Sequence, residues 1–130
     1  HKLTKATIMF YTTKLTDQGG QALAAGLNRP ELQELEVWLN GTKVGDGTAI
    51  ALGESLGGCL KLKKFVLIAD DTELGDTGMN AIAATLAGLP ELTTTRLDVL
   101  RTKVSRKCVA HLKFQLQHLD LSIDSGCGIC

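Results

Sequence analysis

The chain has 130 residues, 44% of them apolar, with 14 basic side chains balancing 14 acidic ones. That length gives one domain with a modest core, and the balanced charge leaves no global field to draw the chain to nucleic acid or an anionic membrane. No stretch approaches the ~20 apolar residues of a membrane span, the opening HKLTKATIMFYTTK has no signal-peptide pattern, and four cysteines are too few for a secreted disulfide scaffold, which points to reduced thiols and an intracellular setting.

Taken in order, the chain repeats one unit. The first, 3–31, opens at Leu3 and alternates Ala6, Ile8 and Phe10, a period of two that predicts a short strand with one buried face. Leu15 follows, then Asp17, an acidic acceptor placed to cap the first turn of a helix. Leu23 and Leu27, four apart, share one face of that helix, and Pro30 follows it. The second unit, 32–61, repeats this with Leu35, Val37, Leu39, Val44, Asp46, Leu52 and Leu56. The third, 62–91, has Phe65, Leu67, Ala69, Leu74, Asp76, Ile82 and Leu86, with Pro90 behind.

The fourth unit, 92–115, keeps Thr95, Leu97, Val99, Val104 and Leu112 but loses the Asp and the small residues of the helix. The origins Leu3, Leu32, Leu62 and Leu92 are spaced by 29, 30 and 30, yet Leu116 follows Leu92 by only 24, so a helical segment of about one turn is expected there. The fifth, 116–130, places Leu119, Leu121 and Ile123 on a strand and breaks off at SGCGIC. One strand–turn–helix unit cannot bury its own apolar face, and stacked neighbours build a continuous core. Ile8, Phe10 and Leu15 would stand at an uncovered edge, so a fragment of a longer chain, or a partner over that end, is expected.

The pattern L-x-x-L-x-L-x-L, a turn, G-D-x-G and a small-residue helix resembles leucine-rich repeats. The long unit resembles their ribonuclease-inhibitor-like subfamily, found also in Ran GTPase-activating proteins and innate immune sensors, and looks like long repeats of protist proteins. The resemblance implies an α/β leucine-rich repeat solenoid of about four and a half repeats. This would be a curved right-handed horseshoe segment with a parallel sheet on the concave face and helices on the convex one. The family's Asn or Cys in the turn is replaced by Thr13, Thr42, Thr72 and Thr102, whose hydroxyls could still form a ladder.

In that architecture the concave side chains include Met9, Trp38 and Ile68 in one row. Tyr11 and Val66 extend the apolar patch, and Glu36 and Arg96 supply charged rim contacts. Clustered apolar surface with a Trp marks a binding face, the alternative being that Trp38 packs under another segment of the same protein. The Cys127-x-x-Cys130 pair lacks two further zinc ligands at a common spacing, and His111 and His118 do not provide them. GDGT and GDTG lack the P-loop Lys, so their glycines are read as turn residues needing φ > 0 or close approach. Cys59 and Cys108 read as core. No catalytic, cofactor-binding or metal residues are assigned.

The functional expectation is a non-enzymatic protein–protein interaction scaffold using its concave strands, in the cytoplasm or another intracellular compartment. One alternative is a structural subunit of a large ciliary or organellar assembly. A regulator of a small GTPase is a lesser one, because Arg96 lies on a strand and Arg101 near the turn, neither in a matching motif.

Overall fold

The computed structural model describes residues 4–11 and 13–126. Strand and helix alternate throughout: β1 (Lys5–Met9), α1 (Asp17–Ala25), β2 (Glu34–Trp38), α2 (Asp46–Leu56), β3 (Lys64–Ile68), α3 (Asp76–Gly88), β4 (Thr94–Leu100), α4 (Arg106–Gln115) and β5 (Asp120–Gly126). All strands pair in parallel in the order β1-β2-β3-β4-β5. Leu35, Val37, Leu67 and Leu97 from the strands join Leu52, Leu56, Ile82, Leu86 and Leu112 from the helices in one apolar core. The helices therefore form one layer on one face of the sheet. None of the described helices is long and apolar enough to cross a membrane.

The expected horseshoe solenoid is corrected. The described residues form a compact α/β unit with one five-stranded sheet. Five strands at a spacing of about 4.8 Å span only about 19 Å. A sheet bends into an arc when its helix layer is wider than its strand layer, and here glycine narrows the helix layer. A Cβ added at Gly53 of α2 would lie 3.0 Å from the Ala81 carbonyl oxygen of α3. One added at Gly78 would lie 2.7 Å from the Ala49 Cβ. The helix backbones nearly touch.

The Asp residues cap helices, but not their own. The Asp17 carboxylate accepts from the Gly45 N–H (2.8 Å), the Thr48 N–H (3.0 Å) and the Thr48 hydroxyl (2.6 Å), at the start of α2. Asp46 accepts from the N–H groups of Gly75 (2.8 Å) and Gly78 (3.0 Å), at the start of α3. Asp76 accepts from the Ser105 N–H and hydroxyl before α4. Gly45 and Gly75 occupy the N-cap positions without a side chain, so the preceding unit supplies the acceptor. These bonds lock consecutive units at their helix ends.

The turn threonines also act differently from the expected ladder. Thr13, Thr42, Thr72 and Thr102 each donate to the carbonyl three residues back (Phe10, Leu39, Ala69 and Val99), closing their own turns. Nor do the pre-helix glycines need left-handed backbone: Gly45 and Gly75 have φ of −143° and −129°. The left-handed residue comes earlier in the turn, at Gly41, Asp71 and Arg101, with φ of 75°, 58° and 55°.

The fourth unit keeps a helix of 10 residues, not a single turn. What is shortened is the return, 116–119 against 57–63 in the second unit. Thr95 pairs with Leu121 and Leu97 with Ile123, so β5 is displaced by two residues from the expected register. A slip of two keeps the same side chains on the same face. Leu3, the expected origin of the first unit, lies outside the described residues.

Candidate functional site

The face of the sheet opposite the helices is covered by no element among the described residues. Its side chains form rows across the strands, set by the parallel register. One row runs Lys5, Glu34, Lys64, Thr94, Asp120, and the next Thr7, Glu36, Val66, Arg96, Ser122. A third runs Met9, Trp38, Ile68, Asp98, Asp124. Beyond the row ends stand Tyr11 and Asp70.

The structure divides the apolar candidates. Met9 is 54% exposed and Tyr11 47%, and Trp38 is half-buried, with the Tyr11 and Trp38 rings edge to face at 6.4 Å. Val66 and Ile68, expected to stand free on this surface, are only 7% and 5% exposed. Val66 sits between the longer Glu36 and Arg96, and Ile68 between the large Trp38 ring and Asp98, which the long Arg96 side chain covers. They form the floor of the face, and the accessible apolar part is Met9, Tyr11 and the open edge of Trp38. Between Trp38 and Ser122, over Val66, runs a groove of about 310 Å³ edged by Glu36, Lys64, Arg96 and Asp120.

Two polar contacts on this surface join residues two apart on one strand. The Trp38 indole N–H donates to the Glu36 carboxylate, which restrains the ring. Arg96 binds Asp98 through two bonds, Nε–Oδ1 at 3.1 Å and Nη2–Oδ2 at 2.7 Å. The guanidinium side chain is 55% exposed and the Asp98 side chain 7%, so the pair covers a carboxylate with a cation that still faces solvent. This pairing raises the Arg96 pKa further above its usual value. Asp70 accepts from the Leu100 N–H at 2.7 Å. Burial pushes its carboxyl pKa up against that bond, and repulsion from Asp98 and Asp124 adds to the rise.

The sequence pattern turns Asp98 and Asp70 outward on the same face as Arg96, but the candidate site left them out. Cys59 (0% exposed) and Cys108 (5%) are core. Burial raises both thiols, Cys108 to about 11, so neither is a reactive thiolate near neutral pH. Among the described residues no group of His, Cys, Asp or Glu could hold a metal ion. Cys127 and Cys130 lie outside the described residues.

No family model matches the chain, and no curated protein matches it in sequence. The leucine-rich-repeat resemblance thus gains no support from sequence comparison. Twenty-six chains of solved structure match the fold. One is the "Leiomodin-1 Actin-Binding Site 2 (ABS2)", with a TM-score of 0.71 and 17% identity over 92% of this chain and 69% of that one. At that identity the likeness concerns fold alone.

Proposed function

We propose that the chain is a non-enzymatic protein-binding domain that receives its partner on the open face of the sheet. The observation that carries this reading is the bare face itself. All-parallel sheets are ordinarily covered on both faces, and here the helices cover one. The other carries a half-buried Trp held by Glu36, exposed Met9 and Tyr11, and a groove walled by charged side chains. Trp and Tyr on a rigid surface make effective interface anchors because few rotors are lost on binding.

The similar solved structure is named as an actin-binding site, which makes actin the first defined ligand to try. Immobilised wild type, Trp38→Ala and Phe114→Ala are compared for capture of purified actin and of proteins from a lysate of the source cell. Phe114 is the control because it is 70% exposed on α4, within the helix layer. The reading expects a ligand lost with Trp38→Ala and kept with Phe114→Ala. Ligands retained by Trp38→Ala and lost with Phe114→Ala would place binding on the helices and refute it.

A further inference from the structure

The open face is charged in a way that the whole chain is not. The chain is neutral, yet this face sets the cations Lys5, Lys64 and Arg96 against Glu34, Glu36, Asp70, Asp98, Asp120 and Asp124, a formal net charge of minus three. Two of those cations are already engaged within the face, Lys5 with Glu34 at 3.2 Å and Arg96 with Asp98. The imbalance is also segregated. The exposed apolar residues lie over β1 and β2 with Lys5, Glu34 and Glu36, a net minus one, while Asp70, Asp98, Asp120 and Asp124 lie over the other half with Lys64 and Arg96, a net minus two. Asp98 and Asp124 are register neighbours, and both repel the Asp70 carboxylate, a repulsion that the Arg101 guanidinium offsets in part.

From this polarity we infer that the partner presents a basic segment with an apolar anchor, the anchor seated on Met9, Tyr11 and Trp38 and a Lys or Arg beside Asp120 and Asp124. The inference rests on the open face being the binding face, and it adds the partner's chemistry. The distances fit a single segment. Trp38 and Asp124 share a row three strands apart, about 14 Å. An extended chain covers that in about four residues and a helix in about two to three turns. A cationic side chain arriving there meets two exposed carboxylates, and opposite charge speeds encounter and disfavours acidic competitors. An acidic partner would add like charge to a face that is already net negative.

The test is selection of binders from a random dodecapeptide library displayed on phage against the described domain, counter-selected on Trp38→Ala. The inference expects the peptides to carry an apolar residue and a Lys or Arg about four positions away if extended, or about nine if helical. Asp120→Asn/Asp124→Asn should then weaken them about fivefold and flatten their salt dependence. Face-specific peptides that are acidic or uncharged, or insensitive to that double variant, would overturn the basic-partner inference while leaving the face as the binding site. Peptides that bind Trp38→Ala equally well, or no enrichment at all, would count against the face reading and the inference together.

Discussion

Removing the Asp17 carboxylate tests the way the units are joined. Asp17 lies in the first turn of α1, yet all three donors it accepts from belong to the start of α2. Asp17→Ala strips these bonds from Gly45 and Thr48, both buried, leaving two N–H groups and a hydroxyl without an acceptor. A lost N-cap costs about 1 kcal/mol, and bonds to a charged acceptor about 1.5–3 kcal/mol each when buried. Because the site is half-buried, we expect about 2–3 kcal/mol in all, with Tm lower by about 6–10 °C. Asp17→Asn keeps an acceptor oxygen and should lose only about 1 kcal/mol. Urea unfolding followed by circular dichroism gives both values. Amide exchange locates the damage, and the first turn of α2 should open while that of α1 stays protected. The pH dependence has a definite sign. Burial would raise the Asp17 carboxyl, but the Thr48 hydroxyl and the backbone N–H groups outweigh it and hold the pKa below 3.8. Its stabilisation is therefore complete above the unfolded value and lost as pH falls through the lower folded value, so wild type and Asp17→Ala should converge in acid. Equal losses for Ala and Asn, or faster exchange in α1 rather than α2, would refute capping across units.

Other substitutions probe separate features. Thr95 is 1% exposed and its hydroxyl has no partner among the described residues, so Thr95→Val should stabilise the fold by about 1 kcal/mol, read as a higher urea midpoint. Gly53→Ala forces a methyl to 3.0 Å from the Ala81 carbonyl oxygen and should cost about 1–3 kcal/mol. Gly88→Ala meets nothing within 4 Å and should gain about 0.5 kcal/mol; parallel thermal melts of the two variants compare them. Arg96→Met uncovers the Asp98 carboxylate beside Asp70 and Asp124. It should cost about 2 kcal/mol, with more than half regained in Arg96→Met/Asp98→Asn by the same urea assay. Asp70→Asn removes a group whose carboxyl is raised in the folded state. It should stabilise the protein at neutral pH, and the gain should fade as pH falls through that raised value and vanish below 3.8.

Much of the local architecture could be read from period alone. Leu35, Val37 and Leu39 announce β2 and its buried face, and Leu52 with Leu56 the inner face of α2, because burial selects side chains at the geometric repeat of each element. Interactions between units were hidden. The recurrence of Asp17, Asp46 and Asp76 pointed to caps, but nothing local to each Asp says that its donors lie about thirty residues onward. The arc failed for a related reason, since curvature depends on helix spacing, and that is set by contacts such as Gly53 on Ala81 across two units. On the open face, alternation turned Val66 and Ile68 outward. Their burial comes from the lengths of Glu36, Trp38 and Arg96 on neighbouring strands, which a single strand's sequence does not contain.

Trp38 is the single tryptophan of the chain, so a 5-fluorotryptophan label places one fluorine reporter on the open face. Its resonance would be followed while the captured ligand, or a selected basic peptide, is added. The account predicts that this resonance shifts and saturates with ligand, and that solvent access to the ring falls. A ligand that binds while the Trp38 resonance stays unmoved and the ring equally accessible would contradict the central claim that the open face of the sheet is where the partner sits.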